Sequence, residues 1–94
     1  MITSFADKPT EALWRGSKPP ELPPTILKTA LRKLTQLSIA TTLDDLRVPP
    51  GNRLEPLARD RKGQHSIRIN DQYRICFRWV GSNAHHVEIV DYHS

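Results

Sequence analysis

Cysteine and long apolar segments are nearly absent from the sequence. Its 94 residues include one cysteine, Cys76, which has no partner for an internal disulfide. A chain without disulfides is typical of a reducing compartment, and the first residues lack the basic and apolar blocks of a secretory signal. No apolar run approaches the ~20 residues that a membrane-spanning helix needs. We therefore predict a cytoplasmic protein with no membrane partner.

The motifs of metal centres and nucleotide-binding loops are also missing. The histidines do not combine with Cys76 into a zinc-ligand spacing. There is no glycine-rich phosphate loop and no Gly-x-Ser-x-Gly nucleophile motif. The chain has no internal repeat or low-complexity tract, and its length suits one modest core. We predict a single domain over residues 1–94, with neither a metal ion nor a cofactor.

Positive charge is concentrated in one part of the chain. The net charge is +4, and residues 1–46 hold six Lys/Arg against five Asp/Glu. Residues 47–78 hold eight against three. A local basic excess favours an anionic partner, with RNA or DNA first. A solvated basic surface would give the same count, so charge alone leaves both interpretations open.

Helical patterns occupy the first half of the chain. Asp7 is a candidate N-cap for a short helix, Lys8 to Arg15, and a proline-rich linker follows at residues 17–24. Apolar residues at helical spacing then predict a second helix that begins near Pro24. These apolar residues are Leu27, Ala30, Leu31, Leu34 and Leu37.

Strand patterns occupy the second half. Residues 66–79 alternate as a β-hairpin, and a last strand runs from His85 to Tyr92. Residues 2–5 are a candidate short strand, and residues 42–45 resemble a capping box for one helical turn. Helices followed by a run of strands predict an α+β fold. In it, two N-terminal helices pack on a mainly antiparallel sheet of about four strands.

Alternation along the hairpin predicts its faces and its register. One apolar row on each strand must face the helices, which requires a three-residue loop at 70–72. This register places Arg68 directly opposite Arg74 on the other, solvent-facing side. The apolar rows are Ile67 and Ile69 on the first strand, and Tyr73, Ile75, Phe77 and Trp79 on the second.

The two facing arginines repel each other, since their Cβ atoms would lie roughly 5 Å apart. One interpretation is a paired clamp for a phosphate, which guanidinium groups bind through their fork of donors. In the other, the side chains spread into solvent, or Glu55 or Glu88 neutralises them. Arg78 continues the row farther along and is a candidate RNA contact.

The last strand adds a tyrosine, an aspartate and a histidine. Val87 and Ile89 on the core face place Tyr92 on the arginine face, where it is a candidate base or a cap for the sheet edge. Asp91 falls nominally on the core face. His93 follows where the strand should fray, so its direction is open, but histidine suits acid–base chemistry near neutral pH.

Several motifs together resemble HigB-type toxins, which are plasmid-maintenance killer proteins of the RelE/ParE superfamily in bacterial toxin–antitoxin systems. The motifs are Gly-Asn-Arg-Leu-Glu-Pro-Leu at 51–57, Arg-Asp-Arg-Lys-Gly at 59–63, the hairpin at 66–79 and the terminal Asp-Tyr-His at 91–93, with support from residues 2–5 and 43–55. The resemblance implies a RelE-like fold and an endoribonuclease that cleaves mRNA in the ribosomal A site without a metal. It also implies a cognate HigA-like helix-turn-helix antitoxin that neutralises the toxin and represses their shared operon, so operator DNA would be met only through the antitoxin.

Matched residue by residue, the resemblance implies that the phosphate-binding groups fall on Arg68 and Arg74. The terminal acid, aromatic and histidine of the family fall on Asp91, Tyr92 and His93. Two departures stand out. Some members have a histidine where this chain has Glu55 and a lysine where it has Ala58, and the usual Gly-Asp-Arg turn is here residues 59–61. These departures imply a weaker toxin.

Metal-free RNA cleavage uses the 2′-OH as an internal nucleophile, so it needs a base, an acid and cations for the charge on phosphorus. We expect Tyr92 or Glu55 to be the base and His93 the acid, with Asp91 orienting His93. Other basic residues are expected to hold RNA backbone, and their grip should weaken with salt. They are Arg53, Arg59, Arg61 and Lys62.

Two non-nuclease functions remain as alternatives. Other members of the superfamily poison DNA gyrase by contact alone, and a fold does not determine function. The chain is therefore also compatible with a non-enzymatic toxin or with a catalytically weak RNA-binding module. Tyr92 and His93 favour the nuclease, because a gyrase poison has no need of them.

Overall fold

A computed structural model of the chain describes residues 1–92, in which two α-helices precede a four-stranded antiparallel sheet. The predicted α+β architecture is confirmed. Helix α1 is Lys8–Trp14 and α2 is Pro24–Ile39. The strands, in chain order and in order across the sheet, are β1 Glu55–Pro56, β2 His65–Arg68, β3 Tyr73–Val80 and β4 Asn83–Asp91. Short 3₁₀ segments lie at Leu43–Arg47, Pro50–Asn52 and Arg59–Arg61.

The first helix begins as its capping residue predicts. Oδ1 of Asp7 accepts a hydrogen bond from the backbone N of Thr10 at 2.9 Å, which satisfies one of the unpaired donors at the helix start. Thr10 is fully buried, and its Oγ1 accepts from the backbone N of Ile89 at 2.9 Å. The same threonine therefore joins α1 to the last strand.

The buried face of α2 differs in part from the predicted stripe. Ala30, Leu34 and Leu37 are fully buried as expected, but Leu31 is 38% exposed. Ile26 and Lys33 point inward as well. The helix is thus turned so that a lysine amine enters the interior, which an apolar pattern alone does not predict.

The main core lies between the helices and one face of the sheet. Its members alternate along β2 and β3 as the sequence predicts, and the partly buried Tyr73 and Trp79 pack against it. Burial of apolar surface here stabilises the fold by roughly 25 cal/mol per Å². The largest fully buried apolar residues are Leu34, Leu37, Leu46, Ile67, Ile75, Phe77 and Val87.

The hairpin has the predicted register. Ile67 pairs with Ile75 and Arg68 pairs with Arg74. The side chain of Asn70 closes the loop, since its Oδ1 accepts from the backbone N of Gln72 at 2.9 Å and of Tyr73 at 2.7 Å. Such an asparagine-centred turn is the reason that this loop length is stable.

Strand β4 contains a bulge that alternation did not predict. The pairing shifts between Cys76 and Arg78, and His86 has a left-handed backbone with φ +52°. The extra residue lets Ala84 and Val87, three positions apart, both enter the core. The predicted N-terminal strand is present only as isolated parallel bridges from Ile2 and Phe5 to β4.

The second face of the sheet, opposite the helices, is partly covered. The chain from residue 57 to residue 64 arches over it, with Leu57 buried and its backbone N bonded to the carbonyl of Gln64 at 2.9 Å. Arg61 reaches from this arch to Glu88 on β4 at 2.6 Å. Within residues 1–92, no helix has the length and apolar character to cross a membrane.

Candidate active site

Arg74 lies at the centre of the second face and is held by several acceptors. Its Nε donates to Oγ of Ser66 at 2.7 Å, and its Nη2 donates to the backbone carbonyl of Arg53 at 2.6 Å. Oε1 of Glu55 lies 3.5 Å from the same Nη2. Within residues 1–92 these contacts use Nε and Nη2, and none of them uses Nη1.

The predicted solvent exposure of both arginines is wrong for Arg74, which is only 9% exposed. Arg53 and Glu55, which precede the arch, contact the guanidinium of Arg74 from outside β3 and cover it. The approach is favourable because a buried guanidinium needs hydrogen-bond acceptors to replace water. Arg74 is therefore fixed in one orientation.

Arg68 stands beside Arg74 in the register but has a different partner. Its Nη2 forms an ion pair with Oδ1 of Asp71 in the hairpin loop. The side chain of Arg68 is 32% exposed, against 11% for Arg74. Carboxylates thus contact both arginines, as one interpretation of the sequence allowed, although Asp71 pairs with Arg68 instead of Glu88.

The backbone of Arg53 adopts a left-handed conformation, with φ +45° and ψ +56°. This conformation costs a non-glycine residue roughly 1–2 kcal/mol. It directs the Arg53 carbonyl to Arg74, while the Arg53 side chain stays exposed. Strained backbone of this kind persists only where surrounding contacts impose it, and it is frequent at functional sites.

Tyr92 lies on the arginine face as predicted. The centre of its ring is 6.0 Å from Cζ of Arg74, and its side chain is partly open to solvent, at 42%. The backbone N of Tyr92 donates to the carbonyl of Gln72 at 2.6 Å, so the end of β4 is tied to the hairpin loop. A rigid strand end therefore carries the tyrosine to the arginine.

Asp91 is exposed rather than turned toward the core, and its Oδ2 accepts from Nε2 of Gln72 at 3.0 Å. Glu55 is also exposed, at 49%, so its carboxylate is open to a ligand. His93, the predicted acid, lies outside the residues that the structure describes. The structure thus places Glu55 and Tyr92 around Arg74.

Arg61 has a structural contact that its predicted role in RNA binding did not include. Its Nη1 donates to Oε1 of Glu88 at 2.6 Å and to Oε1 of Gln64 at 3.1 Å, and hydrogen bonding to Glu88 raises the pKa of the guanidinium. The pair fastens the arch above Cys76. Burial raises the pKa of the Cys76 thiol to about 11, so the thiol is protonated at neutral pH and fills space beside Ser66.

The remaining predicted RNA contacts are exposed basic side chains. Arg59 and Lys62 lie on the arch, and Arg78 lies on β3 next to it. Gly63 lets the side chain of Arg78 lie close to the backbone of the arch. Its φ is +94°, and a Cβ there would lie 2.8 Å from Nη1 of Arg78. A bulkier residue at position 63 would force Arg78 away from the arch.

Residues 3–93 match the family model of the RelE-like toxin of type II toxin–antitoxin system HigB. Over 85 residues, which are 89% of this chain and 90% of the relative, the sequence is 46% identical to Toxin HigB-1 of Vibrio cholerae. The chain belongs to the HigB-like toxin family.

A further relative agrees with this assignment, and a solved structure agrees with the fold. The HigB-like toxin is 29% identical over 97 residues to Endoribonuclease HigB of Proteus vulgaris, covering 99% of this chain and all of that protein. Its fold resembles a chain of the YoeB-YefM complex from Staphylococcus aureus, with a TM-score of 0.58 at 17% identity, covering all of this chain and 97% of that one. The RelE-like fold implied by the sequence motifs is confirmed.

Sequence reasoning missed two members of the site in this HigB-like toxin. Ser66 was not among the predicted site residues, yet its hydroxyl holds Arg74. Asn52 was not among them either, yet its side chain is completely buried. Ser66 had a usable signal, since it lies two residues before Arg68 on the same face of the strand, where a small hydroxyl group is a natural acceptor for an arginine.

Proposed function

We propose that this HigB-like toxin is a ribosome-dependent, metal-free endoribonuclease that cleaves mRNA and so inhibits translation. The observation that carries the proposal is the fixed guanidinium of Arg74, with an exposed carboxylate and a phenol beside it. A relative in Proteus vulgaris is named as an endoribonuclease, which supports the same reaction here.

Arg74 is the proposed phosphate-binding group. Ser66 and the Arg53 carbonyl engage Nε and Nη2, so the N–H groups of Nη1 are available to an oxygen of the scissile phosphate. A donor held in place before the substrate arrives needs no reorganisation in the transition state. Loss of one such donor costs roughly 10²–10³-fold in rate. Arg68, released from Asp71, is the proposed second cation.

Two groups are placed to act as the general base. Glu55 is exposed and 3.5 Å from Nη2 of Arg74, and Tyr92 has its ring 6.0 Å from Cζ of the same residue. Either would take the proton from the 2′-OH as its oxygen attacks the adjacent phosphorus. We propose His93 as the acid that protonates the leaving 5′-oxygen, with Asp91 orienting it. The products are a 2′,3′-cyclic phosphate and a 5′-hydroxyl.

The exposed basic side chains around the arch are the proposed contacts to RNA backbone. Each such contact displaces counterions, so binding weakens as salt rises. Arg61 differs from the others because Glu88 already pairs with it, and we propose that it shapes the arch and contributes less to binding. The proposed contacts are Arg53, Arg59, Lys62 and Arg78.

The partners proposed for the toxin are mRNA on the ribosome and a HigA-like helix-turn-helix antitoxin in the cytoplasm. A staphylococcal neighbour in fold is part of a YoeB-YefM complex, which supports a protein partner for this chain. Operator DNA is proposed to be reached only through the antitoxin. Isolated toxin should then bind operator DNA no better than other DNA.

Cleavage on programmed ribosomes tests the proposal. Ribosomes carrying a defined mRNA are incubated with wild-type toxin, and 5′ ends are mapped by primer extension. We expect cleavage within the A-site codon by wild type, at least 100-fold slower cleavage by Arg74→Ala, and a strong loss on deletion of residues 93–94. Arg15→Ala is the matched control, because Arg15 is exposed directly after α1 and pairs with Glu11.

Each outcome has a defined meaning. Intact mRNA with wild type, alongside inhibited gyrase supercoiling, would refute the nuclease and support a gyrase poison. Cleavage that is equally fast for wild type, Arg74→Ala and the deletion would refute the residue assignment while leaving the nuclease. Separate measurements of Glu55→Gln and Tyr92→Phe identify the base, since loss of a positioned base typically lowers the rate by roughly 10²–10⁴-fold.

A further inference from the structure

Asn52 lies outside the predicted site, and its polar side chain is completely buried next to it. It is 0% exposed, and its Nδ2 donates to the carbonyl of Leu46 at 3.1 Å and to Oε1 of Gln36 at 3.1 Å. Its Oδ1 accepts from Nζ of Lys33. One amide therefore joins α2, the 3₁₀ segment Leu43–Arg47 and the turn that ends at Arg53.

Lys33 is an unusual partner for this amide. It is 6% exposed, and none of the ion pairs within residues 1–92 includes it. Burial lowers the pKa of Lys33, and the charges of Arg32 and Arg68 lower it further. An ammonium group bound to a neutral amide in the interior costs free energy that an apolar residue of similar size would not.

The position of Asn52 in the chain supplies a reason. It directly precedes Arg53, whose left-handed backbone directs its carbonyl to Arg74, and Glu55 follows two residues later. A left-handed residue other than glycine keeps its conformation only if its surroundings impose it. Asn52 is the anchored residue directly before the strained backbone of Arg53. A shift of its side chain would therefore move the Arg53 carbonyl and Glu55 relative to Arg74.

We infer that Lys33 and Asn52 are positioning residues for RNA cleavage, which hold the 52–55 segment so that the Arg53 carbonyl and Glu55 meet Arg74. The inference rests on the proposed function. Neither side chain needs to touch RNA. Their loss should therefore lower the turnover rate of bound toxin and leave its affinity for ribosomes unchanged.

Lys33→Met tests the inference, because it keeps the apolar stem and removes the donor to Asn52. Single-turnover cleavage is measured against toxin concentration on programmed ribosomes. We expect a maximal rate about 10- to 100-fold lower per folded molecule, as for a displacement of about 1 Å in a catalytic site, with an unchanged half-saturating concentration. Lys28→Met is the matched control, because Lys28 is an exposed lysine of the same helix.

A second measurement does not depend on activity. The Nε–H of Arg74, bonded to Ser66, gives an NMR signal that reports its orientation. We expect this signal to shift or broaden in Lys33→Met and to stay unchanged in Lys28→Met. If wild type cleaves no RNA but the signal shifts, the proposed function fails while the positioning of Arg74 is supported.

Two results would overturn the inference. One is an unchanged maximal rate per folded molecule in Lys33→Met, with activity lost only as the folded fraction falls. The other is an unchanged Arg74 signal. If Lys33→Met does not fold, Lys33→Gln, which keeps an amide donor without the charge, is measured in the same way and the same results decide.

Discussion

The hydrogen bond between Ser66 and Arg74 gives the sharpest test of the site's construction. Ser66→Ala removes the acceptor of Nε, which lies 2.7 Å away, while Ser66 itself is completely buried and cannot contact RNA. The guanidinium keeps the Arg53 carbonyl at 2.6 Å. The substitution therefore removes one acceptor from a buried cation and changes little else.

The expected cost follows from this geometry. A hydrogen bond to a charged group contributes roughly 1.5–3 kcal/mol when its partner is removed. Because one strong acceptor remains, we expect about 2 kcal/mol. A domain of this length has a stability of roughly 5–14 kcal/mol, so the variant should fold. At about 4–8 °C per kcal/mol, its melting temperature should fall by about 8–16 °C.

Urea unfolding with a double-mutant cycle isolates the contact. Ser66→Ala is compared with wild type and then again in an Arg74→Met background, where the charged donor is gone. In the Arg74→Met background, Ser66→Ala should lower the free energy of unfolding by less than about 0.5 kcal/mol. The coupling energy between the two residues would then be about 1.5 kcal/mol, within the range for contacting residues. Ser82→Ala is the control, because Ser82 is exposed in the β3–β4 turn.

An equal cost of Ser66→Ala in both backgrounds would refute the reasoning. It would mean that the serine packs in the interior without supporting the guanidinium. Cleavage provides a further check, since a loosened Arg74 should lower the maximal rate. Full activity in a folded Ser66→Ala protein would show that the orientation of Arg74 does not depend on this hydroxyl.

Other contacts lead to three further predictions. Glu88→Gln should release Arg61 and speed trypsin cleavage of the arch in native protein, and unchanged cleavage would contradict a fastening role for the pair. Burial raises the pKa of Cys76 from 9.0 to about 11, so at pH 8 it should carry about 100-fold less thiolate than an unperturbed thiol. It should react with DTNB only after the protein is unfolded in urea. Rapid labelling of the native protein would contradict its burial. Hydrogen bonds from the backbone lower the pKa of Asp45 in the folded protein. Its contribution to the free energy of unfolding should therefore be present above pH 3.8 and be lost as the pH falls through this lowered pKa. The urea midpoints of Asp45→Asn and wild type should therefore converge in acid, and a difference that persists there would contradict this explanation.

The hairpin shows how far local reasoning extends. Side chains alternate across a strand, and the loop has an odd length, so the pairing of Arg68 with Arg74 was predicted correctly. The capping residues Asp7 and Thr42 were also recognisable, because a cap and its helix lie within a few residues of each other. Such features depend on residues that are close in the sequence, so the sequence alone predicts them.

The bulge at His86 and the inward turn of Lys33 were not predicted. Both break a simple period, and both are stabilised by residues far away in the chain, such as the N-terminal bridge from Phe5 to Val87 and the amide of Asn52. A period of two or of 3.6 residues describes an isolated element. It does not predict which face of the element a distant part of the chain will pack against.

The same distinction applies to the candidate site. The sequence by itself determined the fold class and the hairpin register, because these follow from alternation, and side-chain chemistry suggested the residue types of the proposed phosphate site. Only the tertiary structure decided that Arg74 is buried, that Ser66 and the Arg53 carbonyl hold it, and that Arg61 pairs with Glu88. These contacts join residues 8 to 27 positions apart, and their geometry exists only once the distant parts of the chain have folded together.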